Sequence, residues 1–234
     1  DSLLGADDKA GGAAIMAAVR HLVGHPDIRH GTVRICFNPD EEIGRGSEKI
    51  SLEDLAADVA YTFDADDVAV VDFETFSADK AVLKIHGVPA HPGWAKGLMV
   101  NAIRLGAKFI DALPKEASPE QTADRDGFIH PEEMRGGPAD VEIMMLLRDF
   151  EIEGLAQKRK VIEDIIARLK AEEPRARFEL EITQQYRNMR YWLEKDFRPV
   201  DYAIEAVRRA GFVPRSQAVR AGTDGSRLTE RGLP

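Results

Sequence analysis

Hydrophobic residues are spaced in two different rhythms along this chain. Near the start, Ile15, Met16, Val19, Leu22 and Val23 recur with a helical period. That predicts an amphipathic helix, stopped by Gly24 and Pro26. Thr32–Asn38 then alternates, with Val33, Ile35 and Phe37 on one side, which predicts a strand. A polar loop over Pro39–Gly46 leads to a short helix near 51–56 and a second strand, Val59–Phe63, ending at Asp64. Residues 1–8 read as the end of a strand and a tight loop. Strands alternating with helices predict an α/β fold with a mostly parallel sheet. Such sheets bind ligands beyond the carboxyl ends of their strands.

From about Phe76 the rhythm changes. Lys80–His86 reads as a strand, and Asn101–Leu113 as a helix with Ile103, Ala107, Ile110 and Leu113 on one face. A strand near 127–134 and a strongly apolar one over Asp140–Asp149 follow. Leu155–Leu169 is a helix, and Arg177–Thr183 alternates Phe178, Leu180 and Ile182 against charges. The order β-α-β-β-α-β predicts a separate, inserted α+β domain. After Arg190 a helix returns, with Val200, Ala203, Ile204 and Val207 in register, and a glycine loop, Ala221–Gly225, follows. The expected organisation is a first domain over 1–75, a lid or dimerisation domain over 76–188, and the first domain resumed over 189–234.

Composition narrows the function. Among 234 residues, 32 are Lys or Arg and 41 are Asp or Glu, a net charge of −9. An acidic chain is a poor tracker of nucleic-acid phosphates, so no nucleic-acid partner is expected. No apolar run approaches the ~18 residues that cross a bilayer, so no membrane partner is expected either. The single cysteine, Cys36, excludes an internal disulfide framework. Its reduced state, and a start without a basic-then-apolar leader, point to the cytoplasm. Cys36 lies in a strand pattern and is expected to be a buried structural thiol. Lys158-Arg159-Lys160 is expected to be a solvated helix face. His21, His25, His30, His86 and His130 are expected to be surface or structural histidines.

Acids cluster where predicted strands end: Asp7-Asp8, Asp40-Glu41-Glu42 and Asp64. Converging carboxylates repel, and a divalent cation relieves that repulsion. Asp7 is thus a candidate bridging ligand, Glu42 and Asp64 candidate terminal ligands, and Glu41 a candidate general base. The alternative on spacing alone is a set of ordinary loop acids in an acidic protein.

Motif by motif, the chain resembles a known family. Leu4-Gly-Ala-Asp-Asp-Lys-Ala-Gly11, Asn38-Pro-Asp-Glu-Glu-Ile-Gly-Arg-Gly46 and Tyr61-Thr-Phe-Asp64 are similar to the metal-site motifs of the di-zinc exopeptidases, the tripeptide aminopeptidases in particular. His91-Pro-Gly-Trp-Ala-Lys-Gly-Leu-Met-Val-Asn-Ala102, Leu147-Arg-Asp-Phe150, Tyr186-Arg-Asn-Met-Arg190 and Gly222-Thr-Asp-Gly225 extend the resemblance in the right order along the chain. It implies two divalent metals, most simply zinc, held by Asp7, Glu42 and Asp64, with a cis bond at Asp7–Asp8. It implies Glu41 as the base and His91 as a donor to the oxyanion. Arg148, Asn188 and Arg220 would contact the peptide, and the inserted domain would be a lid and a possible homodimer surface. The family carries a His-x-Asp motif before the first loop and a ligand histidine after the last, neither present here, so the chain is expected to be the central part of a longer enzyme. Within the same class, the alternative is a di-zinc dipeptidase or a deacylase of N-acyl amino acids. Outside it, the alternative is a metal-poor binding fragment.

Overall fold

The computed structural model describes residues 5–65 and 67–234. The strand end expected over residues 1–4, and Asp66 beside the third acidic motif, lie outside the described residues. In chain order the elements are α1 (Lys9–Gly24), α2 (Leu52–Leu55), β1 (Glu74–Thr75), β2 (Ser77–His86), α3 (Ala102–Ala112), β3 (Phe128–Gly136), β4 (Asp140–Asp149), α4 (Ile152–Glu172), β5 (Arg177–Tyr186), α5 (Arg190–Leu193), α6 (Arg198–Arg209), β6 (Ala218–Val219) and α7 (Asp224–Glu230). They fall into two compact units: Phe76–Asn188, and Asp1–Thr75 with Met189–Pro234.

In the unit over 76–188, four antiparallel strands are ordered β3-β4-β2-β5. β2 sits inside, paired along its length with β4 on one side and β5 on the other. Alternation along β2 and β4 turns Ala81, Leu83, Ile85, Val141, Ile143, Met145 and Leu147 to one face, where all are buried. Both helices pack into that core, α3 through Leu105 and Phe109, α4 through Leu155, Ile162, Ile165, Ile166 and Leu169. Asn101 starts α3 by accepting from the amides of Ile103 at 2.9 Å and Arg104 at 3.4 Å. Gly106 packs closely on the sheet: a β-carbon there would lie 3.2 Å from Val141 Cγ1. The β-α-β-β-α-β order expected from the sequence is the order found.

One basic residue departs from expectation. Lys158 is not solvated; its ammonium lies 2.5 Å from Asp149 Oδ2, and the two side chains are only 13% and 14% exposed. Asp149 also accepts from the Glu151 amide at 2.9 Å, ahead of α4. Gly154 makes room for it, since a β-carbon there would sit 2.2 Å from the carboxylate. The neighbours Arg159 and Lys160 are exposed and pair along the helix with Glu163 and Asp164.

In the other unit the pairing is parallel: β1 pairs with β6, and Val70 bridges Arg215 in the same sense. Its small core joins Met189, Leu193 and Val200 to Val71, Phe73, Phe197 and Ile204, with Phe73 and Phe197 edge to face at 5.0 Å. The molecule is therefore α/β with a parallel sheet and a second, antiparallel α+β unit. Two expected strands, Thr32–Asn38 and Val59–Phe63, have no ladder among the described residues. Alternation predicts which way side chains face, whereas a strand also needs a hydrogen-bonded neighbour. Val33 and Phe37 are exposed, and so is Cys36, contrary to the buried thiol expected. Helix α1 forms as the period predicts, but none of its residues is fully buried. Among the described residues, no helix is long and apolar enough to cross a membrane.

Candidate active site

The acidic loops meet because of one glycine and one helix cap. Asp8 caps α1, its Oδ1 accepting the Gly11 amide at 2.9 Å. A β-carbon on Gly11 would lie 1.8 Å from the Phe63 carbonyl oxygen and 2.5 Å from Asp8 Oδ1. Only glycine therefore lets the first turn of α1 rest against residue 63, which brings Asp7 and Asp8 beside Asp64. The Asp7–Asp8 peptide bond is cis, as the resemblance implies.

The electrostatics follow from that crowding. Asp64 is pushed up to about 6, first by partial burial, then by the charges of Asp7 and Asp8, a hydrogen bond shared with Asp7, and the charge of Glu42. Glu41, in a single helical turn over Glu41–Ile43, is also pushed up. Burial is the largest cause, followed by Asp224, Asp64, Glu42 and Asp7. Asp7, Glu41, Glu42 and Asp64 are thus brought within electrostatic reach of one another. Among the described residues, no three His, Cys, Asp or Glu side chains are close enough to ligate one ion. The donor chemistry nonetheless fits divalent cations: oxygen donors that raise one another's proton affinity are stabilised by a shared positive charge.

Beyond the cluster, His91, Arg148 and Asn188 belong to the 76–188 unit. His91 caps the single turn Pro92–Trp94, and its Nδ1 accepts the Gly93 amide at 3.1 Å. Only an unprotonated Nδ1 accepts, so neutral His91 carries its proton on Nε2, as a donor. The exposed Trp94 ring lies against the imidazole, with centroids 4.5 Å apart and planes tilted by 40°. Arg148 is half-buried, donating to the carbonyls of Leu147 at 3.0 Å and Asp79 at 3.3 Å. Asn188 is 0% exposed, its amide donating to the Phe150 carbonyl at 3.2 Å. It lies buried at the end of the unit. Arg220, half-buried, lies in the bend after β6.

A residue that the sequence reading left without a role is Asp224. It is buried at the start of α7, accepting from Asn38 Nδ2 at 2.6 Å and from the Ser47 amide at 3.0 Å. It lies within the Gly222-Thr-Asp-Gly225 motif, at the opening of α7.

The chain is similar to several known proteins. Residues 73–177 match the family described as the peptidase dimerisation domain. By structure, the chain is similar to a tripeptidase from Staphylococcus aureus, with TM-score 0.81, 25% identity, and coverage of 99% of this chain and 62% of that one. It also shares its fold with a dinuclear metal-binding peptidase of the M20 family from Bacillus subtilis, with TM-score 0.57, 16% identity, and coverage of 85% and 52%. By sequence, the likeness runs along the whole chain to Peptidase T of Caldanaerobacter subterraneus, 42% identical over 233 residues. The chain spans 57% of the length of that relative.

Proposed function

We propose that this chain supplies the central part of a two-metal aminopeptidase that releases the N-terminal residue of short peptides, tripeptides above all. The observation that supports the reading is that Asp7, Glu42 and Asp64 raise the proton affinity of Glu41, in a chain similar from end to end to Peptidase T. In this reading Asp7, Glu42 and Asp64 would hold two divalent cations, and zinc accepts carboxylate oxygens of this kind. The cations supply Lewis acidity and a favourable place for the substrate's amine. Glu41, which already holds a proton more tightly than an ordinary glutamate, takes one from the attacking water and returns it to the departing amine. His91, held as the Nε2–H tautomer, donates to the oxygen on which charge develops. Arg148, Asn188 and Arg220 would contact the peptide, whose carboxylate a guanidinium forks well. The stretch over 73–177 provides the surface for a second copy, and the enzyme works in the cytoplasm.

The test is made on the complete natural enzyme. Zinc-loaded protein should cleave Ala-Ala-Ala, releasing free alanine from the amino end, and leave N-acetyl-Ala-Ala-Ala intact. Preferred hydrolysis of the acetylated substrate would replace the aminopeptidase reading with a deacylase. No turnover of either with two metals bound would sink both.

A further inference from the structure

The loop that carries Glu41 and Glu42 does not hold its own shape by packing; both residues stand outside the buried core. Its internal hydrogen bonds, Gly44 N to Glu41 O at 2.6 Å and Arg45 N to Asp40 O at 2.9 Å, close the turn but do not anchor it. The anchor is α7. At the helix start, the two oxygens of Asp224 take one donor from each side of the acidic turn: the Asn38 side chain at 2.6 Å and the Ser47 amide at 3.0 Å. At the helix end, Arg231 donates to the carbonyls of Ser47 at 2.5 Å and Ile50 at 2.6 Å. Gly46 allows the approach, because a β-carbon there would lie 2.3 Å from Asn38 Nδ2 and 2.4 Å from Asp224 Oδ2.

We propose that Asp224 is a positioning residue that seats the 38–47 loop and so fixes where Glu41 and Glu42 point. A buried carboxylate is costly unless both oxygens are satisfied, and here the satisfying donors come from the loop. Asp224 and the loop therefore constrain each other: a displaced loop leaves a buried charge without partners. The functional weight of this seating rests on the roles proposed for Glu41 and Glu42; the seating itself does not.

The geometry dictates the test. Asp224→Asn presents one acceptor and one donor where two acceptors are needed, so one loop contact must break. The double exchange Asn38→Asp with Asp224→Asn reverses donor and acceptor across the 2.6 Å contact. It restores both bonds at unchanged net charge. Hydrogen exchange is measured on the whole chain for the parent, Asp224→Asn, Asn38→Ala and the double exchange. Amides of 38–50 should exchange about 10- to 100-fold faster in both single variants, as loss of a bond to a buried charged group implies. Amides of 77–186 should be unchanged, and the double exchange should return 38–50 to parental rates. Asn38→Ala leaves Asp224 in place, so it serves if Asp224→Asn does not fold. Unaltered exchange in the single variants, or a double exchange as fast as Asp224→Asn, overturns the proposal. Zinc titration of the same proteins separates this from the function: affinity falling about 10- to 100-fold and recovering in the double exchange joins the seating to the metal site. Altered exchange with constant zinc affinity upholds the seating and counts against Glu42 as a ligand.

Discussion

Glu41 is surrounded by acids that all act on it in one direction, and that environment suits a base that must accept a proton and later give it up. Glu41→Gln keeps the shape and removes the basicity. In the complete enzyme its turnover should drop by about 10²–10⁴ while metal content stays at the parental level, measured by steady-state kinetics beside elemental analysis. Turnover near the parental value would exclude Glu41 as the base. Asp64 makes a pH prediction with a definite sign. Its native proton affinity is raised from 3.8 to about 6, so the native state binds a proton that the unfolded state releases more readily. That contribution to stability is fully present below pH ~4 and lost as pH rises through ~6. In metal-free protein, Asp64→Asn should therefore flatten the dependence of the urea midpoint on pH between 4 and 7; an unaltered slope would show that Asp64 is not the group responsible. At this scale the sequence was informative where chemistry clusters in short motifs: Asp7, Glu41, Glu42 and Asp64 were legible. Asp224 was not, because its partner Asn38 lies 186 residues away. Lys158 was misread because it is written among charges that are solvated.

The elements rest on a few contacts whose removal has calculable effects. The Lys158–Asp149 pair ties α4 to the end of β4 with little water around it. Removing one partner of such a pair leaves an unpaired buried charge, which costs about 3–5 kcal/mol. Lys158→Met should lower stability by that amount in denaturant unfolding, and Asp149→Leu added to it should recover part of the loss. A double-variant loss equal to the sum of the Lys158→Met and Asp149→Leu losses would show that the pair is not coupled. Legibility at this scale follows from how much of an element's signal is local. α3 and α4 were readable because a helix satisfies its own backbone and shows its buried face every third or fourth residue. β2, β4 and β5 were readable because each alternates and finds a neighbour in the same unit. Thr32–Asn38 alternates just as clearly, yet among the described residues no ladder takes it up. Period reports on one face of a strand; pairing depends on other parts of the chain.

For the molecule as a whole, the 76–188 unit has its own core and its own complete sheet. Expressed alone, residues 76–188 should melt in one cooperative transition, with coincident far- and near-ultraviolet circular dichroism. A broad, probe-dependent melt would show that this core needs the rest of the chain. The exposed alternating residues of the other unit carry a separate expectation. Val33, Ile35 and Phe37 present an exposed apolar stripe that no ladder takes up among the described residues, which favours edge-to-edge association. Val33→Lys with Phe37→Lys should reduce light scattering of the concentrated chain, whereas equal scattering would place the association elsewhere.

The register of β2 and β5 has one more consequence. Ala78 faces Tyr186 across an antiparallel pair, so the chain enters and leaves the 76–188 unit through adjacent strands. Partners in such a pair stand roughly 5 Å apart. A gene could therefore lose this whole stretch, or gain another in its place, and a turn of two or three residues would close the gap. The unit is built like a cassette: its two ends are already side by side, and an exchange of one such module for another leaves the path of the flanking chain almost unchanged.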